Sequence, residues 1–393
     1  MSDAPAQVVY NLPMLPSFSN TLRSRFSIDW VMFGSAFLLS IAGLVTMNSF
    51  SSETVFFERQ IIWLIVSSAV FFGASAFDWR FLRRTGVVIM LYVLALVLLL
   101  LLFGLGTAVK GAQSWFTLGA FSIQPSDPAK LVLIILLAKY FSRRHIEIRN
   151  VRHILISGLY TFVLFLLVFL QPDFGSAIII FCIWLGMVLV SGISKKHLAA
   201  VFLIGLSAFA GLWLFVFQDY QKARIMTFLH PYTDIQGTGY NAYQSMVAVG
   251  SGQLMGKGVG YGTQSKLEFL PEYETDFIFA AFAEEWGFVG ALVLFGLYGV
   301  LIVRIIVNSM YGATNFETLF GLGLAVLFMS HIAIHVGMNI GLLPVTGTTI
   351  PFMSYGGSHL LTEFVGLGIL SGMRKYNRPV RKEEMTRTPL GVE

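Results

Sequence analysis

Ten apolar stretches, most of them near twenty residues long, restrict what this chain can fold into more than any other feature. Their approximate limits are 28–48, 59–77, 86–105, 126–141, 153–170, 174–193, 198–217, 277–303, 318–340 and 356–373. About 20 apolar residues carry a helix across the hydrocarbon core of a bilayer, where every backbone polar group must be bonded internally. The expected fold is an all-α polytopic integral membrane protein with ten transmembrane helices. The fourth stretch is short and holds Lys130 and Lys139; were it not to cross, every later loop would change side. Only 12% of the 393 residues are charged, about half the share of a soluble chain. A soluble enzyme, a nucleic-acid binder and a disordered chain are therefore poor fits. The lone cysteine, Cys182, excludes an intramolecular disulfide and a multi-cysteine metal site.

The basic residues orient the spans. With the N-terminus cytoplasmic, 18 of the 26 Lys and Arg fall on inner segments, among them Arg80, Arg83, Arg84, Arg143 and Arg304, against 6 on outer ones. That asymmetry is the positive-inside bias, and it accounts for the net charge of +5 without a polyanion partner. Residues 1–27 read as a cytoplasmic tail, 28–373 as a single membrane domain and 374–393 as a basic cytoplasmic tail. The first apolar run is too long for a cleavable signal and reads as a permanent anchor.

Most connections are short, but residues 218–276 form a long outer loop between the seventh and eighth spans. Loops of that length are functional or disordered. Eight glycines between Gly237 and Gly262, interleaved with Tyr240, Tyr243, Met246 and Val249, read as a folded lid that approaches a ligand closely or as a structural extracellular cap, with a short helix expected over 241–249. Further on, Glu268, Glu272, Glu274 and Asp276 precede the eighth span. Asp276 falls at the first turn, where the helix dipole favours a negative charge, so it reads either as a cap with Thr275 or as a functional acid. Glu284 and Glu285 lie inside the span and need partners; Lys130 and Lys139 are the candidates. His331 and His335, at i and i+4, have a spacing that zinc sites use, but no third ligand stands near them in sequence.

Together these blocks carry a resemblance. Lys110-Gly-Ala-Gln-Ser-Trp115, Gln124-Pro-Ser-Asp-Pro-Ala-Lys130, Gln171-Pro-Asp-Phe-Gly175, Gly262-Thr-Gln-Ser-Lys-Leu-Glu-Phe-Leu-Pro-Glu272, Thr275-Asp-Phe-Ile-Phe279, Ala283-Glu-Glu285, Leu343-Pro-Val-Thr-Gly347 and Pro351-Phe-Met-Ser-Tyr-Gly-Gly-Ser358 occur in order on a ten-span plan. The chain resembles the SEDS family (RodA/FtsW) and is most similar to its RodA branch. The resemblance implies a peptidoglycan glycosyltransferase that polymerises lipid II at the outer face of the bacterial cytoplasmic membrane during cell elongation. It implies work with a class B penicillin-binding protein and other elongation-complex proteins, and it puts the family's essential aspartate at Asp276.

The implied chemistry joins the 4-hydroxyl of one sugar to an anomeric carbon that carries a pyrophosphate. The hydroxyl needs a base, for which Asp276 is the candidate. The departing pyrophosphate needs cations: Lys110, Arg59, Lys257, Lys266 and Arg224 are on the outer side, with Mg²⁺ or Mn²⁺ a possible supplement. Trp115, Lys130, Asp173 and Glu272 complete the candidate substrate contacts. Asp173 reads equally as a helix cap, and Lys130 as the structural partner of Asp127 at i,i+3. Against the family pattern, Ser114 replaces an Arg, Asp127 a Glu, Glu274 a His, and His335 and Glu363 two Asn, so a His–Glu pair inside the bundle is expected. A flippase for the lipid-linked precursor and a non-catalytic scaffold for the penicillin-binding protein are the readings from other classes.

Overall fold

The computed structural model describes residues 28–50, 55–109, 112–118, 121–143, 151–215, 217–229, 237, 239–267 and 269–376. The N-terminal tail, nearly all of the C-terminal tail and Lys110 lie outside the described residues.

A helix forms at each of the ten apolar stretches. They are α1 (Trp30–Phe50), α2 (Val55–Ala76), α3 (Thr85–Leu105), α4 (Ser126–Ser142), α5 (Val151–Leu170), α6 (Phe174–Val190) and α7 (Lys195–Phe215). After the loop helices α8 (Asp219–Leu229), α9 (Tyr240–Ser251) and α10 (Thr263–Lys266) come α11 (Ile278–Met310), α12 (Asn315–Asn339) and α13 (Gly357–Met373). Among the described residues, seven helices are long and apolar enough to cross a membrane: α1, α2, α3, α5, α7, α11 and α12. The other three, α4, α6 and α13, have 17 residues each, about 26 Å of helix against a core of about 30 Å. The expected helix at 241–249 is α9.

The all-α expectation needs one correction. Between α3 and α4 the chain makes a three-stranded antiparallel sheet: β1 (Thr107–Val109), β2 (Ala112–Leu118) and β3 (Phe121–Ile123). Thr107 faces Trp115 and its hydroxyl donates to the Trp115 carbonyl at 3.0 Å, while Phe116 faces Ile123. The segment is too short to span and alternates side chains across the pleat, as a strand requires.

Helix α13 packs chiefly on α2, α11 lies between α1 and α12, and α4 and α6 both pack on α12. One apolar cluster fills the bundle, including Phe71, Phe141, Phe320, Phe328, Phe352 and Phe364. Side chains on the outer faces of α3 and α7, such as Leu100 and Leu203, are exposed and apolar, the surface lipid tails would cover. Polar side chains gather at the two ends. At one end Asp29 caps α1 and binds Arg304 of α11 at 2.5 Å. Near it a turn at 79–83 binds the start of α12 through Arg83 and Glu317, 2.6 Å apart. At the opposite end lie the starts of α4, α6, α11 and α13.

Candidate functional site

Asp276 sits two residues before α11, half-buried, on a turn whose backbone is held from both sides. Glu272 adopts a left-handed φ of 57°, and its carbonyl accepts the N–H groups of Thr275, Asp276 and Phe277 at 3.2, 3.0 and 3.2 Å. A non-glycine residue in that region costs on the order of 1 kcal/mol or more, so the turn is held by its surroundings. Asn339, the last residue of α12, supplies part of that hold: its amide donates to the Asp276 carbonyl at 3.0 Å and accepts the Ala280 N–H at 3.1 Å. The Tyr355 N–H reaches the Glu274 carbonyl at 2.8 Å and the Ser354 hydroxyl the Thr275 carbonyl at 2.8 Å. Asp276 is thus clamped between α12 and the segment before α13, with its Oδ2 facing Gly347. Glu272 enters the site through its backbone, which sequence reasoning had not anticipated.

The same segment ties in other candidates. Gln60 of α2 donates to the Ser354 carbonyl at 3.2 Å and accepts the Gly356 N–H at 3.3 Å, which places its exposed neighbour Arg59 on this end. Asp173 caps α6 by accepting the Ser176 N–H at 3.0 Å, and its other oxygen accepts Gln124 Nε2 at 2.7 Å. Its geometry is that of a helix cap. Lys130 and Asp127 are both buried and pair at 3.2 Å. Asp127 also accepts the Ser358 hydroxyl at 3.0 Å and lies 3.3 Å from His359 Nδ1. His359 Nε2 is 3.0 Å from Glu363, whose other oxygen accepts the Phe352 N–H at 2.8 Å. The expected pair of His335 with Glu363 is therefore not formed, because Glu363 pairs with His359 one turn away on its own helix. His331 and His335 turn their Nδ1 atoms to the Thr349 and Thr348 carbonyls at 3.0 and 2.7 Å. Among the described residues no three His, Cys, Asp or Glu side chains converge as a metal site.

Glu284 corrects another expectation. It meets neither Lys130 nor Lys139. It is fully buried and accepts Lys257 Nζ at 2.7 Å, the Thr263 hydroxyl at 3.2 Å and the Gln264 N–H at 3.1 Å. The reason lies in α11, which breaks at Gly287 (φ 64°, ψ −165°). Backbone from the loop that precedes α11 fills the break. Lys257 and Gly258 N–H bond the Glu284 and Glu285 carbonyls, and the Gln253 and Leu254 carbonyls accept the Phe288 and Val289 N–H groups, all between 2.9 and 3.1 Å. Lys257 is thereby committed to Glu284. Lys266 is exposed, 3.5 Å from the Gly260 carbonyl. Trp115 is half-buried on β2, the Arg224 side chain and Lys110 lie outside what is described, and Ser114 is buried.

Comparison with known proteins identifies the family of the chain. A family model described as "Cell cycle protein" (FtsW, RodA, SpoVE) matches residues 21–379. The peptidoglycan glycosyltransferase MrdB of Escherichia coli K12 is 37% identical over 292 residues, 74% of this chain and 79% of that one. The stage V sporulation protein E of Bacillus subtilis is 35% identical over 364 residues, covering 90% and 99%. Among solved structures, one from a peptidoglycan synthase complex that coordinates polymerization and crosslinking superimposes with a TM-score of 0.77 at 30% identity, covering 89% of this chain and 99% of the other. The rod shape determining protein RodA of Thermus thermophilus does so with a TM-score of 0.67 at 29% identity, covering 89% and 97%. This chain belongs to the FtsW/RodA/SpoVE family.

Proposed function

We infer that this protein is a peptidoglycan glycosyltransferase that extends glycan strands from lipid II during cell elongation, with Asp276 as general base. The observation that carries the reading is the clamped turn. A carboxylate whose backbone is fixed by Glu272 and Asn339 is held on rigid elements, as a base must be to meet a hydroxyl at hydrogen-bond distance. Asp276 takes the proton of the 4-hydroxyl of the acceptor sugar as the new oxygen–carbon bond forms, and the pyrophosphate departs with the bonding pair. Arg59 and Lys266, exposed on the outer parts, and Lys110 are the cations proposed for that leaving group. A Mg²⁺ or Mn²⁺ ion would bring further positive charge on the phosphate oxygens and would need one or two carboxylates, for which Glu272 and Glu274 stand beside Asp276.

All ten helices are taken to cross, with both termini cytoplasmic and the Asp276 end outside; the basic residues of the opposite end, Arg80, Arg83, Arg84, Arg143 and Arg304, support that orientation. A crosslinking class B penicillin-binding protein is the proposed partner, in line with the similar synthase complex. The test is purified protein, with and without that partner, incubated with lipid II and resolved on a gel. Glycan chains from wild type and none from Asp276→Asn support the reading. No polymer from either, together with lipid translocation in liposomes, would favour a flippase.

A further inference from the structure

A polar cavity opens at the end of the bundle away from Asp276. It has a volume of about 320 Å³ and is lined by Arg83, Lys139, Ser142, Thr314, Asn315 and Phe316, so three separate elements build it: the turn before α3, the last turn of α4 and the start of α12. Its charges are not balanced. Glu317 neutralises Arg83, accepting its Nε at 2.7 Å, and spends its other oxygen on the Thr314 N–H at 2.9 Å. Lys139 is bonded to the Arg83 carbonyl and lies in the fields of Arg143 and Arg83, both positive. An ammonium has three donors, and the one carbonyl uses one of them. The flanks are apolar: Met310 and Tyr311 lead into Thr314 and are 72% and 52% exposed, and Ile89 and Met90 follow Arg83 along α3, 53% and 61% exposed. A basic cavity at the level of a helix end, bordered by surface suited to acyl chains, has the chemistry of a headgroup site.

We propose that this cavity binds the phosphodiester headgroup of an anionic phospholipid, with Lys139 as its principal cation and Arg143 adding to the field at its rim. One phosphodiester carries a single negative charge, which the net positive charge of Lys139 and Arg143 over-compensates. Asn315 adds an amide donor at the wall, while the Ser142 hydroxyl donates to the Lys139 carbonyl at 3.0 Å. The apolar flanks favour a lipid over free phosphate, because only a lipid covers them. This proposal does not depend on the glycosyltransferase reading, and its test uses no enzymatic readout.

The test is native mass spectrometry of the full-length protein in detergent, titrated with phosphatidylglycerol, with phosphatidylcholine of the same acyl chains, and with inorganic phosphate. Phosphatidylglycerol is expected to bind more tightly than phosphatidylcholine. Lys139→Gln and Arg143→Gln should each weaken it about fivefold, the effect of removing one basic residue near a lipid headgroup, and Lys139→Arg should retain it. Arg143 is outside the cavity wall, so its variant keeps the test decisive even if Lys139→Gln folds poorly. Equal binding of the two lipids, wild-type affinity in Arg143→Gln, or displacement of phosphatidylglycerol by an equal concentration of phosphate would overturn the proposal.

Discussion

Two carboxylates show how burial decides what a residue does in this protein. Glu284 is fully buried and paired with Lys257. Removing one partner of a buried pair leaves an uncompensated charge, which costs about 3–5 kcal/mol. Lys257→Met should therefore lower the thermal unfolding temperature sharply, and the double variant Lys257→Met/Glu284→Leu should recover part of the loss. It cannot recover all, since the Gln264 N–H then lacks its acceptor. Asp29 is a second buried, paired carboxylate. Burial alone would raise its carboxyl, but hydrogen bonds from Arg304, the Met32 N–H and Asn308 outweigh it and hold the group below the ordinary carboxylate range. A carboxylate lowered in the folded state gives stability that is complete above about pH 4 and is lost as pH falls through the lower folded value. The difference in melting temperature between wild type and Asp29→Asn should accordingly narrow as the pH is taken from about 6 to about 3. A gap that stayed constant would contradict the assigned hydrogen bonds.

Among the elements, α11 carries the most consequence for the site. Its break at Gly287 lets the preceding loop enter, and a Cβ at that position would stand 2.2 Å from the Gly256 nitrogen, while one on Gly256 would stand 2.0 Å from the Glu285 carbonyl oxygen. Both glycines also have positive φ, 64° and 78°. Gly287→Ala combines left-handed strain with overpacking, each on the order of 1–3 kcal/mol. We expect it to destabilise the protein by about 3 kcal/mol or more and to release the Gly252–Lys266 segment to limited proteolysis. An unchanged melting temperature and cleavage pattern would mean that the helix does not need the break. The break was not legible in the sequence, because Gly287 is one of four glycines in the run, with Gly290, Gly296 and Gly299, and nothing local sets it apart from the three that continue the helix. The sheet at 107–123 was missed for a related reason: its strands are short, and their pairing depends on turns and register that no hydropathy pattern records. The helices themselves were legible, since a run of apolar residues near membrane length has few other structures available to it.

At the scale of the whole molecule, charge sorting told more than composition. The dearth of charges indicated a membrane protein, and the asymmetry of Lys and Arg is the ground on which the Arg83 end is proposed to face the cytoplasm. The structure adds that the charged and polar residues form two ends of one apolar bundle, with the Asp276 clamp at one and the Arg83, Lys139 and Glu317 group at the other. By position Asp276 read as a cap or a functional acid before a long apolar run, and it was the resemblance to the SEDS family that made it the candidate base. The contacts that hold it were not legible, because Asn339 is 63 residues away in sequence and the Ser354–Gly356 segment comes later still. One expected substrate cation changed meaning once a partner 27 residues away was seen, since Lys257 belongs to Glu284, whereas the pairing of Lys130 with Asp127 was already readable from their i,i+3 spacing. The central claim is that a clamped carboxylate at one end of this bundle drives glycan extension. Its most direct measurement is the initial rate of lipid II polymerisation by purified wild type and Asp276→Asn at matched folded concentration. Loss of a general base predicts a fall of at least about a hundredfold; an Asn variant within about threefold of wild type, far short of that fall, would contradict the account.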